Sequence, residues 1–237
     1  MRLLFVRHGE TDHNKARRIQ GPLLDDPLNA TGEAQARALA AHIAAEQTAG
    51  ALHLDAVYAS PLKRAWQTAE AIAHVFRLKP EPVPAFREFS WGRYLGKTET
   101  DETLEAMKRA HAEWRSGNVT YRLPDGPEFP GESPSSAWER AREALFPLLE
   151  KHGSGTIALV AHGRINKVML SALLHNDLSR MEEFPQGNTS LTLLERPDGS
   201  PPAGPWRALY VNHKVHLANL PPGVPDRASE GESPPLV

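Results

Sequence analysis

The 237-residue chain contains no cysteine. Disulfides, thiolate nucleophiles and cysteine-ligated zinc are excluded together, and the composition suits a reducing compartment. An excess of one charge is also missing. Its 27 Lys and Arg against 29 Asp and Glu give a formal net charge of -2, which offers no electrostatic attraction for nucleic acid or an anionic membrane. No apolar run approaches the roughly 20 residues needed to span a bilayer. At the N-terminus, Leu3-Leu4-Phe5-Val6 is cut short by Arg7 and His8, whereas a secretory leader needs a longer apolar stretch and a cleavage site. The start is therefore read as the first strand of the mature fold, and the expected location is the cytoplasm. There is no Walker-type loop ending in Lys-Ser/Thr, no His-Glu-x-x-His pair and no internal repeat. Gly153-Ser154-Gly155 precedes an apolar run instead of following one, so it reads as a turn and not a dinucleotide loop.

What the chain does have is a rhythm of short apolar runs and helical stretches. Leu3 to Val6 reads as a buried strand. Thr31 to about Gln47 is Ala-rich with helical spacing, and Thr31 is its expected N-cap. Asp55 to Ala59 reads as a strand running into Ser60-Pro61, an N-cap and first helical residue, with the helix reaching about Phe76. Thr156 to Ala161 is the clearest buried strand, followed by a helix from Arg164 to about Leu174. Ser190 to Leu194 and Arg207 to Val211 suit two more strands. This alternation predicts a three-layer α/β/α sandwich with a mostly parallel central sheet. Residues 1–218 are expected to form one α/β domain. About 89–134, holding a helix over Thr100 to Ser116 and a Pro/Gly-containing loop, reads as a helical and loop insertion over the site. From Asn219 the chain has five prolines and no apolar periodicity, so 219–237 is expected to be a disordered tail.

Two His-Gly pairs follow the two best strands: His8-Gly9 and His162-Gly163. Open α/β sheets bind ligands at the carboxyl ends of their strands, so two histidines delivered there suit one ligand. A single strand-end histidine would more often fill a polar niche; two, one preceded by Arg7, shift the balance. Arg64 falls in the first turn of the helix after the second strand. Free amides and the helix dipole there favour an anion, and a guanidinium gives planar contacts to phosphate oxygens. The basic run Lys15, Arg17, Arg18 suits either a solvated loop or steering of an anionic substrate.

At this point the sequence resembles the histidine phosphatase superfamily, in its phosphoglycerate mutase-like branch. The resemblance rests on Arg7-His8-Gly9-Glu10-Thr11, Asn14, Arg18-Ile19-Gln20-Gly21, the block from Ser60 to Ala69, Arg87-Glu88 with Trp91-Gly92, Ala161-His162-Gly163, and Asn188-Thr189-Ser190. The order and spacing match over roughly residues 1–212. The resemblance implies that His8 is a nucleophile that becomes phosphorylated. Arg7, Arg64 and His162 would hold the phosphoryl group, Glu88 would donate a proton, and Asn14, Gln20 and Gly21 would line the substrate pocket. It implies no cofactor and no metal, and a small phosphorylated metabolite as the partner. Tyr94-Leu95-Gly96 stands where many relatives have Trp-Glu-Gly, Pro130-Gly131-Glu132-Ser133 where they often have Gly-Gly-Glu-Ser, and Arg164 follows His162-Gly163 in place of a second small residue. These departures bear on substrate identity. Arg164 suits a substrate contact or a helix-start charge equally.

The chemistry asks for these residue types. His8 must be neutral, with one nitrogen free to attack phosphorus and the other held, a backbone carbonyl being the expected partner. Two guanidiniums and a protonated His162 would oppose the charge of the transition state. The leaving alkoxide needs a proton, which a carboxylic acid can give. The expectation is a metal-independent phosphomonoester hydrolase. A phosphoglycerate mutase built on the same core is the alternative, and a non-catalytic phospho-ligand module the lesser one.

Overall fold

The computed structural model describes residues 1–98, 100–218 and 220. Apart from Leu220, the tail read above lies outside the described residues. Six strands form one sheet in the order β3-β2-β4-β1-β5-β6. They are β1 (Arg2–Arg7), β2 (Ala56–Ala59), β3 (Pro80–Pro82), β4 (Thr156–Ala161), β5 (Leu191–Glu195) and β6 (Arg207–His213). β1, β2, β3 and β4 run parallel, while β5 is antiparallel to both β1 and β6. The mostly parallel sheet and its two helical layers agree with the expected sandwich.

Strand alternation sorts the core. Leu4 and Val6 of β1 point to one face, where they meet Leu39 and Ile43 of α2 (Ala30–Thr48) and Ala65, Ala69 and Ile72 of α3 (Lys63–Val75). Leu3 and Phe5 point to the other face. There they pack with Ala141 and Leu145 of α5 (Pro134–His152) and with Ile165 and Val168 of α6 (Gly163–His175). A short helix, α1 (Asp12–Lys15), follows β1, and α4 (Asp101–Arg115) lies in the predicted insertion. Trp114 of α4 is buried against Phe89 and Trp91, with ring centroids 5.6 and 5.9 Å away. No helix of the described residues is long and apolar enough to cross a membrane.

Two of the expected helix starts need correction. The N-cap of α2 is Asn29, whose Oδ1 accepts from the Gly32 amide at 2.8 Å, so Thr31 lies inside the first turn. α3 begins at Lys63, not after Ser60, and the Lys63 amide donates to Asp25 Oδ1 at 2.6 Å. Two elements are additional to the expectation. β3 is a three-residue edge strand carrying two prolines, tolerated because an edge need not donate on both sides. α5 is capped by Ser133, whose hydroxyl accepts from the Ser136 amide, with Pro134 at the first turn.

Candidate active site

Register brings the site together. β1 and β4 pair in parallel with Val6 opposite Val160 and Arg7 opposite Ala161. β2 pairs with β4 so that Ala59 also lies opposite Val160. His8 and His162 therefore leave β1 and β4 at one level of the sheet edge, with Ser60 one residue below them at the end of β2. The His8 amide donates to the Ala161 carbonyl at 3.1 Å, and the Ser60 amide to the Val160 carbonyl at 3.0 Å. As a result the His8 and His162 rings lie 5.1 Å apart at 60°.

His8 is buried and its Nδ1 is 2.7 Å from the carbonyl oxygen of Gly9. A carbonyl can only accept, so Nδ1 carries the proton and Nε2 keeps its lone pair. Burial, then the charges of Arg64 and Arg7, hold the His8 pKa well below the usual histidine range. The ring is neutral at pH 7. The backbone beside it is fixed by close approach. A Cβ on Gly9 would come within 2.6 Å of the Gly32 carbonyl oxygen at the start of α2, so only glycine fits. The Gly9 amide donates to Thr68 Oγ1 of α3 at 3.1 Å.

His162 is fully buried, with Nε2 2.8 Å from Ser60 Oγ. Burial comes first among the causes that push its pKa well below the ordinary value, followed by Arg64, His8 and Arg7. In this arrangement the neutral ring is favoured, whereas the protonated form expected above is that of His162 facing a phosphoryl group. Its Nδ1 has no hydrogen-bond partner among the described residues.

Arg64 is the second residue of α3 and is completely buried. Its two terminal nitrogens donate to the Leu24 carbonyl at 2.7 Å and the Gly21 carbonyl at 2.8 Å. Burial lowers its pKa to about 10, with Glu88 the largest opposing influence, so the guanidinium stays charged. Arg64 Nε has no hydrogen-bond partner among the described residues. Arg7 donates to the Gln186 carbonyl.

Glu88 closes the opposite side. Its Oε1 accepts from the amides of Phe89 at 2.8 Å and Ile165 at 3.1 Å, and its Oε2 from Arg164 at 3.3 Å. The carboxylate thus sits on the free amides of the first turn of α6, where the helix dipole favours it. Arg140 of α5 holds the loop that carries Glu88. It donates to Glu132 Oε1 at 2.6 Å and Oε2 at 3.0 Å, to the Ala85 carbonyl at 2.5 Å and to the Glu88 carbonyl at 3.4 Å.

Asn14 and Gln20 join each other, Asn14 Nδ2 to Gln20 Oε1 at 2.8 Å. Asn188 donates to the His8 carbonyl at 3.0 Å and lies 3.5 Å from Asn14 Oδ1. All eight predicted residues therefore belong to one connected neighbourhood: His8, Arg7, His162, Arg64, Glu88, Asn14, Gln20 and Gly21. Lys15, Arg17 and Arg18 are exposed. Arg164 is a charge at the start of α6, as one of the two expectations had it, and it has partners of its own. Its guanidinium pairs with Glu182, lies 3.0 Å from His111 Nε2 and covers the Trp91 ring at 5.2 Å. It ties α6 to α4. Sequence reasoning gave no role to Ser60, Asn188 or Arg140. Ser60 reads as a helix cap, and nothing in the spacing marks Arg140 as a partner of Glu132. Among the described residues no group of His, Asp and Glu is arranged to hold a metal ion.

Comparison with known proteins agrees with this geometry. The profile of the histidine phosphatase superfamily (branch 1) matches residues 3–207. The chain belongs to that superfamily. Phosphoserine phosphatase 1 of Hydrogenobacter thermophilus is 32% identical over 195 residues, covering 82% of this chain and 86% of that protein. A probable phosphoglycerate mutase, GpmB of Proteus mirabilis, is 36% identical over 220 residues, covering 93% and 96%. The solved structure of a mycobacterial glucosyl-3-phosphoglycerate phosphatase superposes with a TM-score of 0.72 at 27% identity, covering 90% of this chain and 99% of that one.

Proposed function

We propose that this protein is a phosphomonoester hydrolase that works through a phosphohistidine at His8. The observation that carries the reading is the neutral His8 ring, fixed through Nδ1 on Gly9 and facing His162 at 5.1 Å. In the first step Nε2 attacks phosphorus, the P–O ester bond breaks, and Glu88, a carboxylate in the resting site that takes up a proton as the ester binds, gives that proton to the leaving oxygen. In the second, Glu88 takes a proton from water as the water attacks phosphorus. Inorganic phosphate leaves and His8 returns to its neutral form. Arg7 and Arg64 meet the charge on the equatorial oxygens. With Ser60 donating to His162 Nε2, the Nδ1–H of His162 is left to donate to a phosphoryl oxygen. The cationic cluster does this without a metal.

The substrate is a small phosphomonoester. The relatives named above act on, or are named for, phosphoserine, phosphoglycerate and glucosyl-phosphoglycerate. Each of those carries a carboxylate near the phosphate, and such esters head the panel to be tried. The mutase names among the relatives favour a second reading, in which phosphoryl-His8 returns its group to another oxygen of a phosphoglycerate.

The test is phosphate release from that panel in the presence of chelator, with rapid acid-free quenching to trap the phosphoenzyme. The hydrolase reading expects release from at least one ester and phosphate bound to His8. Isomerisation of a phosphoglycerate that needs a bisphosphate primer, with little free phosphate, would establish the mutase instead. Tight phosphate binding with no turnover of any ester would overturn both.

A further inference from the structure

A residue far along the chain bears on the nucleophile. The Thr189 amide donates to the His8 carbonyl at 3.3 Å, beside the Asn188 side chain at 3.0 Å. Two donors from one loop thus hold the backbone on which His8 turns. Thr189 is buried and has φ of 52°. A β-branched residue rarely adopts that left-handed conformation, and it persists only where its surroundings enforce it.

The enforcing contact comes from the end of the fold. His216 lies in the 3₁₀ turn Val215–Leu217 that follows β6. Its Nε2 is 3.1 Å from Thr189 Oγ1. The single hydroxyl proton of Thr189 goes to the Asn188 carbonyl at 2.8 Å, so the imidazole must donate through Nε2. The ring is positioned in turn by α2, stacking on His42 at 5.8 Å and 22°. His42 also lies 5.7 Å from the His213 ring and 3.3 Å from Glu46. Burial, then the charges of His42 and His213, lowers the His216 pKa to about 4, so the neutral donor persists at pH 7. A second tie runs parallel: the Gly187 amide donates to Asn212 Oδ1 at 2.8 Å.

We infer that His216 is a positioning residue for His8, acting through Thr189: it locks the left-handed turn whose amide holds the His8 carbonyl. It touches no substrate. The inference uses the phosphohistidine reading only in naming His8 as the group that is placed.

The experiment is a double-mutant cycle between His216→Ala and Thr189→Gly. Glycine adopts positive φ without strain, so it makes the turn independent of its lock. His216→Ala alone should lower kcat about tenfold to 100-fold with KM nearly unchanged, since small misplacements of a reacting group cost that much. In the Thr189→Gly background the same change should cost less than about twofold. His216→Gln, which keeps a donor, should lose less than His216→Ala. Should His216→Ala fail to fold, the cycle is run with His216→Gln. The ¹⁵N shifts of the His8 ring give a readout that needs no turnover. They should move in His216→Ala and return in the double variant. Wild-type kcat and unmoved His8 shifts in His216→Ala would overturn the inference, as would equal losses in both backgrounds. A wild-type protein that turns over no ester would sink the hydrolase reading but leave the shift experiment decisive for His216.

Discussion

The two walls of the site are built in different ways. His8 and His162 leave neighbouring parallel strands at one level with Ser60 one residue below, and the backbone ladder sets their spacing, with Asn188 and Thr189 holding the His8 carbonyl. Glu88 is carried by a loop, and its place depends on two helices: the Arg140 side chain of α5 and the first backbone amides of α6. The difference teaches where precision comes from. The first wall is as rigid as the sheet and needs few partners. The second is only as good as a buried ion pair, Arg140 with Glu132, whose side chains are 14% and 9% exposed. Changes in the first wall should therefore act on chemistry with little effect on folding. Changes in the supports of the second should do both.

The largest effect should come from the sheet wall. His8→Ala should lower kcat by at least about 10⁴-fold, as loss of a nucleophile does elsewhere, with the urea unfolding midpoint nearly unchanged. Residual activity above that level would mean that His8 is not the group that is phosphorylated. Next is Glu88→Gln. It should slow alkyl esters by about 10²–10⁴-fold, the usual worth of acid–base help, and activated aryl esters much less, because those leave without a proton. Equal losses for the two classes would remove Glu88 from its role as acid.

Arg64→Lys should cost about 10²–10³-fold, the range for loss of one preorganised donor. An ammonium cannot reach the Leu24 and Gly21 carbonyls and a phosphoryl oxygen at once. Arg140→Met tests the contrast directly. It removes the two-pronged partner of Glu132, leaving Arg87 at 3.6 Å and the Ser90 amide at 2.8 Å, and should destabilise the protein by about 1.5–3 kcal/mol, seen in chemical denaturation, and should lower kcat on alkyl esters more than on aryl esters. A stability loss without that selectivity would show that Arg140 does not place Glu88.

The smallest effect is on pH dependence. The His8 pKa lies below the ordinary 6.5, and the ring attacks only when neutral, so lowering pH from 7 to 6 should cost kcat/KM less than the about threefold loss that an unshifted histidine would give. Stability should respond more. His111 is lowered to about 3 and His216 to about 4, chiefly by burial. Below 6.5 the unfolded chain binds protons that the folded chain does not, so stability is full above about 6.5 and falls as pH drops towards 4. Thermal melts across that window check the sign.

The same contrast explains what could be read from the sequence. Apolar runs ending in His-Gly announce β1 and β4, and parallel strands ending together put His8 beside His162 without further information. The sandwich and the placing of Arg64 at the start of a helix follow from similar local signals. What stayed hidden depends on long-range partners. Ser60 reads locally as a helix cap, yet its hydroxyl serves His162 from 102 positions away. Asn29 takes the capping role expected of Thr31 because the chain enters α2 two residues earlier. α5 escapes notice because Pro147 stands in its interior, where proline argues against a helix. The pairing of Arg140 with Glu132 needs that unseen helix first. Arg164 reads as a substrate contact or a helix-start charge, but its partners, Glu182 and two tryptophans, come to it from separate segments.

The alignment of Val6, Val160 and Ala59 across three strands also divides the chain into what can drift and what cannot. The groups that follow those residues are carried by the sheet and by the loop of Asn188 and Thr189. The span between Phe89 and Pro134 meets them through side chains such as Arg140 and Arg164 and through the Ile19–Lys97 and Gly96–Ile19 hydrogen bonds. A lineage can rewrite that span, lengthen it or trade its aromatic packing, and the distance from one histidine to the other stays as it was. New esters can be sampled by altering the roof while the floor goes on transferring phosphate.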